Sequence, residues 1–314
     1  MRTVRFHQYG GPEVLRAEQV PTPEPGEGEL LVEVDAIGVT LPVVRLTHGS
    51  PEGAGVPLPH TPGGEIVGRV AAIGPSASGW QIGQRVTGLA FSGAYAEYAA
   101  VSAAFMTPVP DAVDDHAALL VSRSGQVAWG ALHAGGFAKG DSVLVTAAAG
   151  GVGHLAVQLA VALGASRVVA AVGDVAKAEF VRELGADHVV TYDQDDWGDP
   201  VDIVLDGVGG EVQASCLRAL APLGRLVSFN GVGGQVDVNE LRMRGTAVIG
   251  FAMAHLAGLR RDVYERHQRE LWRLHIDGRL RPAVHASFPL EDAAEAHRVI
   301  EARANRGKVV LVPR

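Results

Sequence analysis

The stretch SVLVTAAAGGVGHLAVQLAVALG at 142–164 decides the fold of this chain. It opens with an apolar run typical of a buried strand, and it closes with apolar residues at helical spacing that end at a glycine. Between them, Gly151, Gly153 and Ala156 match the pattern G-x-G-x-x-A. In that pattern the first glycine permits a tight turn, the second lets the backbone approach a pyrophosphate, and the small third residue allows close helix–strand contact. Free amides at the start of the helix then face the phosphates. The segment predicts a dinucleotide site formed by Gly150, Gly151, Val152 and Gly153.

The residues around this stretch predict an α/β protein with two domains. Residues 1–120 contain short strand-like runs between Gly and Pro turns, which is typical of a compact β-rich unit. Buried strands alternate with helices over 121–255, which predicts a doubly wound parallel sheet. One helix in this part is predicted over 211–224, with a strand following from Arg225. The tail, 256–314, is expected to pack back against the first domain and complete it.

Composition narrows the possible ligands and the compartment. The 314 residues carry a formal net charge of −8, whereas a protein that follows nucleic-acid phosphates normally has a basic surplus, so we expect no nucleic-acid partner. The single cysteine, Cys216, excludes an internal disulfide and a cysteine-rich zinc site, and we interpret it as a small buried residue. No apolar run approaches the roughly 18 residues of a membrane span, and no signal peptide is evident. These features predict a cytoplasmic protein.

The end of the second predicted strand bears on the choice of dinucleotide. An NAD site usually has an acidic residue about 20 positions after the glycines, where it binds the ribose hydroxyls. Asp174 has that spacing, yet the strand SRVVAAV ends at Val172, so Asp174 is also placed to cap the next helix. Lys177, one turn further on, is placed to pair with the 2′-phosphate of NADP or to lie exposed on the helix. From the spacing alone both alternatives stay open.

Motifs along nearly the whole chain resemble a known family. PGGEIVGRV at 62–70, GAYAEY at 93–98, KGDSVLV at 139–145 and DIVLDGVGG at 202–210 accompany the TAAAGGVGHLAVQLA segment and the later LGAD. Together they resemble the zinc-independent, zeta-crystallin-like quinone oxidoreductases of the medium-chain dehydrogenase/reductase superfamily. The resemblance implies a GroES-like catalytic domain at 1–120, completed by 256–314, a Rossmann domain at 121–255 and a cofactor in the cleft between them. It also implies a homodimer built through the edges of the Rossmann sheet.

The resemblance favours NADPH as the cofactor. Counted back from Gly185, the position of the NAD-binding acid carries Val172, while Lys177 and Tyr192 occupy positions where NADPH-using relatives surround the adenosine phosphate. Asp174 counts against this assignment, since a carboxylate there would repel a phosphate. Further cofactor contacts implied by the resemblance are Val127, Gly173, Val208, Phe229, Asn230 and Gly231.

The resemblance also bears on metal and substrate. The alcohol dehydrogenase branch holds its catalytic zinc with Cys, His and Cys, but the first two positions here carry Thr40 and Gly64. We therefore expect no metal, and a substrate that already accepts hydride, such as a quinone or an α,β-unsaturated carbonyl. The Asn, Asp and Tyr common in the family's first segment are replaced, the last near Pro51. Thr40 is the candidate hydrogen-bond donor to the substrate, His48 the candidate proton donor and Phe251 a candidate lining residue.

These features support one leading function and two alternatives. The leading function is an NADPH-dependent, metal-free reductase of quinones or activated alkenes. The first alternative is an enoyl or enone reductase dedicated to one biosynthetic substrate. The second is an NADPH-binding protein without catalytic activity, because the glycine turn is compatible with binding alone.

Overall fold

The computed structural model describes residues 1–49, 55–229 and 233–313, which form two compact units. One unit joins Met1–Arg123 to Pro282–Arg314, and the other comprises Ser124–Arg281. The first is rich in β-structure and the second alternates strands with helices. This confirms the predicted α/β class, with a GroES-like unit and a doubly wound parallel sheet.

The described residues contain the following regular elements. The strands are β1 (Arg2–Arg5), β2 (Arg16–Gln19), β3 (Glu29–Val39), β4 (Pro62–Ile73), β5 (Arg85–Ser92), β6 (Tyr98–Ser102), β7 (Met106–Pro108), β8 (Ser142–Val145), β9 (Arg167–Val172), β10 (His188–Thr191), β11 (Val201–Asp206), β12 (Leu220–Ser228), β13 (Ala247–Gly250), β14 (Val284–Pro289) and β15 (Lys308–Val312). The helices are α1 (Leu41–Thr47), α2 (Asp115–Leu120), α3 (Gln126–Ala134), α4 (Gly153–Leu163), α5 (Ala178–Glu183), α6 (Val212–Arg218), α7 (Val238–Arg244), α8 (Met253–Leu259), α9 (Arg261–Ile276) and α10 (Ala293–Glu301).

The second unit is built on a six-stranded parallel sheet with the order β10-β9-β8-β11-β12-β13. The chain starts at β8, winds outward to β10, and then returns to β11 and continues to β13. The direction of winding therefore reverses between β8 and β11. In open α/β sheets ligands bind at such a reversal, beyond the carboxyl ends of the strands. The glycine turn that follows β8 lies at this position.

The first unit is built on a seven-stranded sheet with the order β14-β15-β3-β4-β5-β7, and β6 pairs with β3. Its centre is the long antiparallel pair of β3 and β4, where Gly38 stands opposite Glu65. Strand β15, near the end of the chain, pairs with β3, so the segment from Pro282 onward completes this sheet. Alternate apolar residues of β3, among them Leu30, Val32 and Val34, are buried in one core cluster of this unit.

Helix α9 belongs to the unit that contains the parallel sheet. The Gln126 side chain, fully buried at the start of α3, donates through Nε2 to the backbone oxygen of Tyr264 (2.8 Å) and to Gln268 Oε1 (3.2 Å). The His267 ring also contacts Trp129 on α3. The unit with the parallel sheet thus extends to Arg281. The predicted boundary between the two domains, at 255/256, stays a prediction.

The helix predicted over 211–224 is shorter than expected. It ends at Arg218, and strand β12 already begins at Leu220. Proline at 222 cannot continue a helix, and it disfavours helical backbone at the preceding residue. The segment instead pairs with β11, where Val201 stands opposite Leu220. Pro222 and the pairing with β11 therefore make the second half of this segment a strand, although its other residues favour a helix.

A buried ion pair joins three strands of the first unit. Lys308 on β15 and Glu65 on β4 pair through Nζ and Oε2, and their side chains are 4% and 9% exposed. Both lie over Gly38 of β3, where a Cβ atom would come within 2.7 Å of Glu65 Oε2 and of Lys308 Cε. Glycine is required at this position because the charged pair occupies the space of a side chain.

We expect Lys308→Met to destabilise the protein by about 3–5 kcal/mol, because it leaves the Glu65 charge buried without a partner. The double variant Glu65→Leu, Lys308→Met should recover most of that loss, since no charge then remains to be desolvated. The measurement is the free energy of unfolding in denaturant.

Arg182→Met is the control for this prediction. It removes one member of an exposed pair with Glu179, and it should cost no more than about 1 kcal/mol. An equal loss in the Lys308 and Arg182 variants would show that the buried pair contributes nothing particular.

Candidate functional site

The predicted strand–turn–helix around the glycines is confirmed. Strand β8 ends at Val145 and helix α4 begins at Gly153. The Gly150 amide donates to the backbone oxygen of Ala147 at 2.8 Å, which closes the turn. A Cβ atom at Gly153 would lie 2.2 Å from that same oxygen and 2.7 Å from Ala148 Cα. Only glycine fits at 153, so the turn presents backbone without side chains at the start of a helix, which is the cradle that a pyrophosphate needs.

The peptide of Ala147 is held by Tyr192. Ala147 has a positive φ of 47°, which is uncommon for a residue with a side chain. Its amide donates to Tyr192 Oη at 2.7 Å, and this hydroxyl donates in turn to the backbone oxygen of Ala171 at 3.3 Å. A Cβ atom built on Gly173 would lie 3.7 Å from the Tyr192 ring. Two of the predicted cofactor residues, Gly173 and Tyr192, are thus brought together at the edge of the sheet.

Asp174 caps the short helical turn that follows β9. Strand β9 ends at Val172, as the sequence predicts, and Asp174 Oδ1 accepts a hydrogen bond of 2.8 Å from the Ala176 amide. Asp174 is therefore the cap of the short helical turn Val175–Lys177, which confirms one of the two alternatives for this residue. Lys177 ends that turn and is half-buried, so the structure places a cation at the carboxyl end of β9.

A buried carboxylate ties the turn after β11 to the end of β8. Asp206, fully buried, accepts through Oδ1 from Thr146 Oγ1 (3.0 Å) and from the amides of Val208 (2.9 Å) and Gly209 (3.1 Å). Thr146 Oγ1 in turn accepts from the Gly207 amide at 2.9 Å. This network fixes the loop that carries Val208. Sequence reasoning did not identify Thr146, although a hydroxyl directly after the strand, facing a D-G-V-G turn, is a usable signal.

Two phenylalanines follow the next strands and pack against glycines. A Cβ at Gly207 would meet the Phe229 ring at 2.7 Å, and one at Gly130 on α3 would meet the Phe251 ring at 2.3 Å. Both rings remain half-buried beyond the carboxyl ends of β12 and β13. Val127 and Phe251 belong to one apolar cluster with Met253, and this brings two predicted site residues together.

The predicted catalytic residues lie in the β-rich unit. Thr40 follows β3 and is the cap residue of α1, but its side chain makes no capping hydrogen bond. His48 ends the same helix, and its Nε2 lies 2.5 Å from Glu301 Oε1 on α10. This contact with Glu301 engages one of the two ring nitrogens through which His48 could donate a proton. The predicted sites Asn230 and Gly231, and the substituted position at Pro51, lie outside the described residues.

Other expectations concern cysteine, metals and membranes. Cys216 is fully buried, as predicted, and burial, followed by the nearby Asp206 charge, raises the pKa of its thiol. Within 1–49, 55–229 and 233–313, no group of three or more His, Cys, Asp or Glu side chains is arranged to hold a metal ion. No helix of the described chain combines the length and the apolar character needed to cross a bilayer.

Two family models match the chain. Residues 26–111 match the alcohol dehydrogenase GroES-like domain, and residues 184–311 match the zinc-binding dehydrogenase family. The first match lies in the unit that contains Thr40 and Gly64. The second includes β10 and β11 to β13 of the parallel sheet and ends at residue 311.

Individual relatives extend over essentially the whole chain. It is 33% identical to a 2-haloacrylate reductase from a Burkholderia species, over 98% of both proteins. It is 31% identical to a probable quinone oxidoreductase of Schizosaccharomyces pombe, over 98% of this chain and 96% of that one. Among solved structures, a mycobacterial protein complexed with NADPH superimposes with a TM-score of 0.92 at 33% identity, and all of both chains is covered.

We expect Gly153→Ala to weaken dinucleotide binding more than roughly tenfold, because the new methyl group would displace the Ala147 carbonyl from the turn. Fluorescence titration with the dinucleotide measures the affinity. Gly258→Ala is the matched control, since a Cβ there meets no atom within 4 Å and alanine favours helix. Unchanged affinity in the Gly153 variant would contradict a role for the turn in binding.

Proposed function

This chain belongs to the quinone oxidoreductase branch of the medium-chain dehydrogenase/reductase superfamily, and from that premise we propose that it is a metal-independent reductase. It transfers hydride from NADPH to quinones or α,β-unsaturated carbonyl compounds. The observation that carries this proposal is the glycine turn at Gly153, where no side chain fits and the backbone is open to the close approach of a pyrophosphate. A relative of 33% identity was solved with NADPH, which supports the choice of cofactor.

The choice of NADPH over NADH rests on the end of β9. The position that carries an acid in NAD-using relatives is Val172, and an apolar side chain cannot accept hydrogen bonds from ribose hydroxyls. One oxygen of Asp174 is engaged by the Ala176 amide within its own turn. Lys177 stands at the same strand end with a charge suited to a 2′-phosphate. NADPH supplies the hydride when it is bound.

The absence of a metal requirement rests on the residues at the zinc positions. Thr40 and Gly64 offer neither thiolate nor imidazole, the donors that bind zinc in this superfamily. Without a Lewis acid to polarise an isolated carbonyl, the substrate must delocalise the incoming negative charge itself. Quinones and activated alkenes do so through conjugation.

Thr40 is the better candidate of the two predicted catalytic residues. Its hydroxyl is not used to cap α1, so it is available to donate to the oxygen that becomes negative during reduction. His48 is held against Glu301, and we assign it the secondary role of fixing the end of α1. Val127 and Phe251 belong to an apolar cluster of the other unit, and such a cluster suits a ligand without charge.

One relative favours activated alkenes within the proposed substrate class. The Burkholderia relative is named a 2-haloacrylate reductase, and a haloacrylate contains an alkene conjugated to a carboxyl group. The corresponding alternative for this chain is an enone or enoyl reductase dedicated to one substrate. A cytoplasmic location is consistent with its single buried Cys216, and we propose it on that ground.

We expect the protein to oxidise NADPH when a benzoquinone or a small enone is added, and to use NADPH at least roughly tenfold better than NADH, the equivalent of about 1.4 kcal/mol. The loss of cofactor absorbance measures both rates. Treatment with a strong chelator should leave them unchanged. Binding of NADPH without oxidation by either acceptor would favour the non-catalytic alternative, and a loss of activity in chelator would contradict a metal-free reaction.

We also propose a homodimer through the outer edge of the parallel sheet. Strand β13 ends the strand order and pairs only with β12 among the described residues. Apolar side chains lie exposed on the segments beside it, with Leu223 73%, Val238 76% and Met243 69% exposed. An edge strand with exposed apolar neighbours is suited to pairing with a second copy.

We expect the double variant Val238→Glu, Met243→Glu to convert the dimer into a monomer, because it places like charges across the proposed interface. Light scattering after size-exclusion chromatography measures the mass. Ile82→Glu, at a residue 73% exposed in the β-rich unit, is the control and should stay dimeric. A wild-type monomer at micromolar concentration would contradict the proposed dimer.

A further inference from the structure

We propose that Tyr192 is a positioning residue for the glycine turn, and that its hydroxyl sets the affinity for the pyrophosphate shared by all nicotinamide dinucleotides. This inference rests on the proposed function and refines one part of its site. It differs from the predicted role of Tyr192 as a contact to the adenosine phosphate, because that role concerns only NADPH.

The Tyr192 hydroxyl joins segments from three neighbouring strands. Tyr192 directly follows β10, Ala171 lies in β9, and Ala147 lies two residues after β8. The hydroxyl accepts from the Ala147 amide and donates to the Ala171 oxygen. That oxygen also accepts from the Ala148 amide at 3.2 Å. Two connections therefore join the start of the turn to β9. One is the direct hydrogen bond from the Ala148 amide, and the other consists of the two hydrogen bonds of the Tyr192 hydroxyl.

The Ala147 peptide controls the shape of the turn. Its positive φ is disfavoured for alanine, so surrounding contacts must hold it. Its oxygen accepts a hydrogen bond from the Gly150 amide, and it occupies the place where any residue other than glycine at 153 would have its Cβ atom. The N–H and the C=O of Ala147 belong to successive peptide groups, which are joined through the φ and ψ of Ala147. The Tyr192 hydroxyl anchors the first of these peptides, and the bond from the Ala148 amide to the Ala171 oxygen anchors the second. The Tyr192 bond therefore restrains the φ of Ala147, on which the position of the oxygen that accepts from Gly150 depends.

The ring of Tyr192 is itself fixed before any ligand binds. It packs against the core cluster between the sheet and its helices, and it lies 6.3 Å from the Trp197 ring between centroids. A hydroxyl on an immobilised ring holds the turn without losing further side-chain entropy. It is thus preorganised to keep the turn in the binding conformation.

The decisive variant is Tyr192→Phe, which removes the hydroxyl and retains the ring. We expect its dissociation constants for NADPH and NADH to rise by the same factor, roughly 3- to 10-fold, which corresponds to the loss of one hydrogen bond. We also expect the Ala147 amide to exchange its hydrogen roughly tenfold faster in the protein without cofactor, because its acceptor is gone. Calorimetric titration and hydrogen exchange measured by NMR supply the two readouts.

Two controls separate positioning from phosphate binding and from general destabilisation. Lys177→Ala should weaken the binding of NADPH and leave that of NADH unchanged, because only NADPH carries the 2′-phosphate that its charge is proposed to bind. Tyr9→Phe removes a comparable hydroxyl, which accepts from the Gly55 amide and donates to the Val56 oxygen, both at 3.3 Å, in the other unit. That variant should leave both affinities and the exchange of Ala147 unchanged.

Each outcome decides the proposal. Equal weakening of both cofactors together with faster exchange at Ala147 supports it. Weakening confined to NADPH, or unchanged exchange at Ala147, overturns it. A wild-type protein that binds neither dinucleotide would instead overturn the proposed function, and the exchange rate of Ala147 would still decide whether Tyr192 holds the turn.

Discussion

The close approach of Gly153 to the Ala147 carbonyl is the constraint on which the rest of the cofactor site depends. Helix α4 can begin this near to strand β8 only because residue 153 has no side chain. The same approach forces Ala147 into a backbone conformation that its neighbours must stabilise. The start of a helix offers an anion unpaired amides and the favourable end of the helix dipole, which is why we assign the pyrophosphate of the dinucleotide to this turn.

The carboxyl ends of the other strands are organised by the same principle, in which polar side chains hold backbone turns. Asp206 and Thr146 tie the turns after β8 and β11 together, and Asp174 caps the turn after β9. The two phenylalanines beyond β12 and β13 rest on glycine backbones instead. The side chains that shape this edge are therefore mostly occupied with the protein itself, and the surface left for a cofactor is largely backbone and apolar.

Much of this arrangement could be predicted from residue order, and the reasons for the exceptions are physical. The strand, turn and helix around Gly153, the end of β9 at Val172 and the burial of Cys216 follow from local pattern and are confirmed. The early end of α6 and the contact of His48 with Glu301 were not predicted. The first depends on Pro222 and on pairing with the neighbouring strand β11, and the second depends on helix α10, which is distant in sequence.

The amino-acid sequence by itself determined the fold class and the glycine turn, because periodicity and missing side chains are local properties. Only the tertiary structure decided which hydrogen bonds the polar side chains make. Tyr192 bonds to Ala147 across 45 positions, and Lys308 pairs with Glu65 from the opposite end of the chain. Such partners are chosen by strand order and register, which bring distant residues within hydrogen-bond reach only after the sheets have formed.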